Sequence, residues 1–149
     1  MNSVILDLLR KRRSIRKFQP QSVERDKIEA LVEAAVRTPT SRGRNPWEFI
    51  VVNDQKLLQK LGIAKQHGSA FLTNAPLAIV VAADADKSDV WTEDCSIAAI
   101  VIQLTAEELG LGSCWVQVRL RPHDATSSAE SYVKELLGLP DTHVVECIV

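Results

Sequence analysis

The sequence predicts an α+β domain in which helices pack on a central sheet. Helix and strand patterns are mixed along it, and four short apolar runs read as strands. One long helix in the middle of the order is apolar around most of its circumference, so it needs cover on several sides. The directions of the strands are not readable.

Each element follows from local chemistry. A first helix begins after Ser3, whose hydroxyl can cap exposed amides, because Val4, Ile5, Leu8 and Leu9 recur at helical spacing; it ends in basic residues. A second helix, roughly Glu24 to Val36, puts Ile28, Leu31, Val32 and Ala35 on one face. Glu48 to Val52 (EFIVV) reads as a short buried strand. Asp54 caps a helix around Gln55 to Gly62. Leu77 to Ala83 (LAIVVAA), bounded by Pro76, is a second buried strand, and both strands are expected in the interior. The long helix runs from about Thr92 to Leu109, with SIAAIVIQLTA at its middle. Cys114 to Val118 (CWVQV) is a third strand. A helix from about Ser128 to Leu137 is stopped by Gly138 and Pro140, and His143 to Val149 (HVVECIV) is a fourth strand. The chain stops there without a polar tail, which reads as a cut end.

The 149 residues suit one domain, 1–149, and 46% hydrophobic with 25% charged residues is ordinary globular usage. Eighteen Lys and Arg against nineteen Asp and Glu give a net charge of −1, so no global positive field would attract nucleic acid or an anionic membrane. Any anion must be held locally. Cys95, Cys114 and Cys147 are odd in number and lack CxxC spacing, which argues against a disulfide scaffold or thiolate metal site and suits a reducing cytoplasm. The N-terminus has no secretory core, and no run of about 18 uncharged apolar residues is present to span a bilayer.

Three segments carry functional signal. In Arg10-Lys11-Arg12-Arg13-Ser14-Ile15-Arg16-Lys17 six of eight positions are cationic. They either complement the negative end of the first helix or converge on a phosphate, whose paired oxygens suit guanidinium forks. A nucleic-acid reading lacks the aromatic interleaving such sites use. Thr38 to Phe49 (TPTSRGRNPWEF) is either a turn or a loop whose hydroxyls, amides and Asn side chain read the edge of a flat heterocycle. Trp47 there also fits a core position. In Glu107 to Trp115 (EELGLGSCW), Gly110 and Gly112 permit positive φ or close approach of a ligand, though a helix C-cap explains Gly110 equally well.

No side-chain catalyst is apparent. His67, His123 and His143 are scattered, and neither an HExxH nor a Gly-x-Ser-x-Gly pattern occurs. Glu93 and Asp94 suit the start of a helix through its dipole. Chemistry, if present, falls to a cofactor.

These three segments, in this order, resemble the nitroreductase family of FMN-dependent oxidoreductases along essentially the full length. Arg12-Arg13-Ser14-Ile15-Arg16 is similar to the family's Arg-Arg-Ser-x-Arg. The resemblance implies Arg12, Arg13 and Ser14 at the flavin phosphate and ribityl chain, with Arg16 nearby. Pro39-Thr40-Ser41 through Asn45-Pro46-Trp47-Glu48-Phe49 is similar to the loop ending in Gln-Pro-Trp-x-Phe. It implies that Pro39, Thr40, Ser41 and Asn45 approach the isoalloxazine from the neighbouring subunit. Asn45 replaces the commoner Gln, and Gly43 stands where many relatives have Asn. Gly112 and Ser113 are implied beside the pyrimidine end of the ring.

The resemblance further implies a nitroreductase-like fold, a cytoplasmic homodimer and FMN as cofactor. Hydride would pass from NAD(P)H, NADH or NADPH, through the flavin to a nitroaromatic or quinone, with no catalytic side chain. In the family a Gly-Tyr-Pro-like turn and then a basic residue at the phosphate follow such a strand, and this sequence stops at Val149 before either, so either it is truncated or the FMN site lacks one wall. A non-catalytic FMN- or nucleotide-binding regulatory module is the rival reading, and ring cleavage or dehalogenation would need a lid that the chain does not visibly supply.

Overall fold

The structure, a computed structural model, describes residues 3–149. Helix α1 (Val4–Lys11) starts at Ser3, whose hydroxyl accepts from the Leu6 N–H. Helix α2 (Arg25–Val36) follows, then a one-turn 3-10 segment at Ser41–Gly43 and strand β1 (Trp47–Val52). Asp54 caps α3 (Gln55–Gly62) through the Leu57 N–H, and a second 3-10 turn, Ala70–Asn74, precedes β2 (Ala78–Asp84). Helix α4 is Trp91–Glu108, β3 is Val116–Gln117, α5 is Ala129–Leu137 and β4 is His143–Ile148.

The four strands form one antiparallel sheet in the order β1-β2-β4-β3. Alternation along β2 divides the core in two. Val80 and Ala82 face Leu58, Leu61, Ala129 and Val133 of α3 and α5, whereas Ile79, Val81 and Ala83 face Leu31, Ala35, Cys95, Ala99 and Ile102 of α2 and α4. The α+β expectation, helices flanking a central sheet, is met. Two details differ from it. Strand β1 is at the edge rather than inside, and most of its residues are only half-buried. Strand β3 is two residues rather than five: only Val116 and Gln117 pair with β4, and beyond them the Val118 and Arg119 N–H groups both donate to the Glu146 carbonyl. Helix α4 has the cover on several sides expected of it, packing against α2, α1 and the sheet, with Ile97 and Ile100 left exposed.

Helix α1 is amphipathic in sequence yet buries none of its residues, and Val4, Ile5 and Leu9 remain exposed. Helix α5 is held more firmly. The Ser128 hydroxyl accepts from the Ser131 N–H at 3.0 Å, and Gly138 ends the helix in the left-handed region at φ 64°. Ser128→Ala removes that cap, so urea unfolding should register a loss of about 1 kcal/mol.

Candidate functional site

Arg12 is where α1 stops. Its φ of −53° and ψ of 133° turn the chain out of the helix, while its N–H still donates to the Leu8 carbonyl at 2.8 Å. The basic run then divides its labour. Arg10 pairs with Asp7 at 3.1 Å, and Arg13 Nη1 donates to the carbonyls of Arg10 and Arg12, each at 2.7 Å. These two serve the negative end of α1. Among the described residues, Arg12 and Arg16 have no carboxylate within 4.0 Å; Arg12 is half-buried, and the Arg16 guanidinium lies 6.0 Å over the Phe71 ring.

Beyond Arg13 the chain runs extended and meets the segment after α4. Ser14 and Ser113 form a parallel bridge, in which the Ile15 N–H donates to the Ser113 carbonyl at 2.9 Å. The two glycines there have separate reasons. Gly110 adopts φ 75° past the end of α4, a conformation that favours glycine. Gly112 is close packed: a Cβ placed on it would lie 2.9 Å from Ile15 Cγ2. A cavity of about 350 Å³ opens beside the bridge, with Ile15, Phe18, Leu31, Ile102 and Leu111 among its walls. The first and third sequence segments therefore meet in space.

The second segment is elsewhere. No hydrogen bond or bridge joins residues 39–45 to Ser14 or Ser113 among the described residues. The loop folds on itself: the Thr40 hydroxyl donates to Asn45 Oδ1 at 2.8 Å and accepts from the Asn45 N–H at 3.0 Å. Arg42, Gly43 and Asn45 all have positive φ, 55°, 62° and 47°. Two of these are non-glycine residues, which L side chains disfavour. The loop is tied to α4 by the Ser41 N–H, which donates to Asp94 Oδ1 at 2.9 Å. Thr40 and Ser41 are half-buried, and Pro39 and Asn45 are exposed.

The nitroreductase family model matches residues 9–67 and 63–149, nearly the whole chain. The chain belongs to the nitroreductase family. It is 51% identical to an FMN-dependent nitroreductase from Clostridium difficile R20291, covering 96% of this chain and 83% of that one, with a TM-score of 0.95. It is also 38% identical to an Archaeoglobus fulgidus protein named "Putative NADH dehydrogenase/NAD(P)H nitroreductase", over 97% of this chain and 82% of that protein. A nitroreductase family protein from Clostridium novyi NT superposes at a TM-score of 0.84, with 28% identity, 96% of this chain and 80% of the other.

The histidines of this nitroreductase family member have separate surroundings. His123 Nδ1 lies 2.9 Å from the Ala64 carbonyl and its ring stacks on Tyr132, while His143 Nε2 lies 3.0 Å from Glu48. His67 is exposed. The three cysteines are free and buried. Burial, then the nearby charges of Glu146 and Asp94, push the Cys95 thiol up to about 12, so it stays protonated and inert.

Sequence reasoning missed two carboxylates. Asp94 suited a helix start, but it is only 3% exposed and clamps a distant loop. Glu146 sat unnoticed in an apolar strand; it is the extra residue of a β-bulge opposite Val81 and Ala82, and its side chain reaches Ser96 of α4. Ser96 donates to Glu146 Oε1 at 3.3 Å, whereas the buried Oε2, like Trp47 Nε1, has no hydrogen-bond partner among the described residues. Burial raises the Glu146 carboxyl above its ordinary range, against the opposing pull of Arg119.

A raised folded-state value means that folding favours the protonated acid. The stabilisation is complete below the unfolded value of 4.5 and is lost as pH rises through the folded one. Glu146→Gln should therefore raise the thermal midpoint at pH 8 and leave it nearly unchanged at pH 4; a pH-independent shift would contradict the linkage.

Proposed function

We propose that this chain is an FMN-dependent oxidoreductase that takes hydride from NAD(P)H and reduces an electron-poor acceptor such as a nitroaromatic or a quinone, and that it works as a cytoplasmic homodimer of single-domain chains. The observation that carries this reading is the Ser14–Ser113 bridge, which joins the segment carrying Arg12 and Arg16 to the glycine segment, the two arginines having no carboxylate within 4.0 Å among the described residues. The donor set fits FMN. Two guanidinium groups and the exposed Ser14 hydroxyl match a doubly charged phosphate and a polyol chain, while Gly112 and Ser113 offer backbone to a ring edge. Arg13 contributes through whatever donors its contacts with Arg10 and Arg12 leave over.

When bound, FMN supplies the hydride chemistry. The chain holds its phosphate with Arg12, Arg13 and Arg16, and orients its ring with Gly112 and Ser113 and with Pro39, Thr40, Ser41 and Asn45 of a partner subunit. The separation of the loop from the Ser14–Ser113 pair supports two-chain sites. So does exposed apolar surface on both Val4, Ile5 and Leu9 of α1 and Ile97 and Ile100 of α4, which a second copy would cover. The C. difficile relative named FMN-dependent lends the cofactor, and the names of relatives lend NAD(P)H. Among the described residues no helix is long and apolar enough to cross a membrane.

The test is the visible spectrum of the purified chain incubated with FMN, followed by NADH and NADPH oxidation with menadione. Bound flavin and FMN-dependent turnover are expected. Flavin-loaded protein that oxidises neither nucleotide would instead indicate a binding module, and failure to take up flavin would end the proposal.

A further inference from the structure

Asp94 lies in the first turn of α4, where a carboxylate ordinarily faces solvent and the helix dipole explains it. Here it is buried at 3% exposure, and both oxygens are engaged. Oδ1 accepts from the Ser41 N–H at 2.9 Å, and Oδ2 accepts from the buried Ser88 hydroxyl at 3.2 Å. Ser88 Oγ in turn accepts from the Val90 N–H at 3.3 Å, so the carboxylate ties the loop, the turn before α4 and α4 itself at one point. What it fastens is not a relaxed loop. Arg42, Gly43 and Asn45, immediately beyond Ser41, hold positive φ, and a non-glycine residue stays there only when its surroundings enforce it.

We infer that Asp94 is a positioning residue for the flavin ring: by gripping Ser41 it fixes the left-handed turn that presents Thr40, Ser41 and Asn45 to the isoalloxazine. The inference rests on the functional reading above, since the loop needs a ring to face. It makes α4 the reference frame for loop geometry. Ring contacts then depend on a carboxylate that touches neither cofactor nor substrate.

The experiment uses the full 149-residue chain as Asp94→Ala, Asp94→Asn and Ser88→Ala. Hydrogen–deuterium exchange over residues 39–46 is measured without flavin, and FMN affinity and the position of the flavin's visible band are measured with it. Loss of a charged hydrogen bond predicts exchange at the Ser41 amide roughly tenfold faster or more in Asp94→Ala. Weaker FMN binding and a displaced visible band accompany it. Asp94→Asn keeps an oxygen for the Ser41 N–H and restores all three. Ser88→Ala loosens the carboxylate from its other side and moves the same quantities less; it carries the test if Asp94→Ala does not fold.

Unchanged exchange in Asp94→Ala, or in Ser88→Ala should that stand in, overturns the clamp. Faster exchange with unaltered affinity and band leaves Asp94 structural only and overturns its role toward the ring, as does an Asn variant no better than the Ala one. Failure of the unaltered chain to bind FMN refutes the functional reading instead, and the exchange comparison then judges the clamp by itself.

Discussion

Arg12→Ala weakens FMN retention by about 1.5 to 3 kcal/mol, the range for a charge-assisted hydrogen bond. That is roughly ten- to hundredfold in dissociation constant, read by fluorescence titration. The reasoning rests on what Arg12 lacks. Arg10 and Arg13 are engaged at the end of α1, and Arg25, Arg37 and Arg44 pair with acids, but Arg12 has no carboxylate partner among the described residues. The backbone N–H of Arg12 closes the helix and survives the substitution, so the thermal midpoint of the flavin-free protein should hardly move. Arg13→Ala is the contrast: it strips two hydrogen bonds from the helix end and should lower stability as well as affinity. Unchanged affinity in Arg12→Ala would remove that residue from the site.

Gly112→Ala breaks the site by geometry. The added Cβ would meet Ile15 Cγ2 at 2.9 Å, Cβ at 3.0 Å and Cγ1 at 3.1 Å, all close to a stiff β-branched stem. Ile15 is in turn held by its own N–H to Ser113, so relief requires the two segments to part. Overpacking of this kind costs about 1 to 3 kcal/mol, and the parting moves Ser14 away from Ser113. FMN affinity should fall about tenfold or more, in line with the strain. Ile15→Gly in the same chain empties the contested space and should recover most of the loss. A single Gly112→Ala variant that binds flavin as the unaltered protein does would show that the close approach is dispensable.

The helices were legible because their ends are chemically marked: Ser3, Asp54 and Ser128 cap amides by the side chain, and Gly138 turns left-handed as a C-terminal glycine should. The strands were legible as apolar runs, but rank in the sheet was not. EFIVV and LAIVVAA look alike, and only the pairing distinguishes the edge strand β1 from the wholly covered interior of β2. At the site, composition exposed the arginine and glycine segments separately, while their meeting at Ser14 and Ser113 is a tertiary fact. Asp94 and Glu146 escaped notice for the same reason. The first has an adequate local explanation at a helix start, and the second lies in an apolar run whose contact with Ser96 is made across the fold.

The Ser14–Ser113 bridge also bears on the order in which the proposed site can be completed during synthesis. Its two ends are about a hundred residues apart, so closing that span carries a loop entropy that only a largely assembled sheet offsets. Arginines that leave the ribosome early must wait for a glycine segment made much later. On the proposed reading, flavin loading waits until both segments have been made and joined.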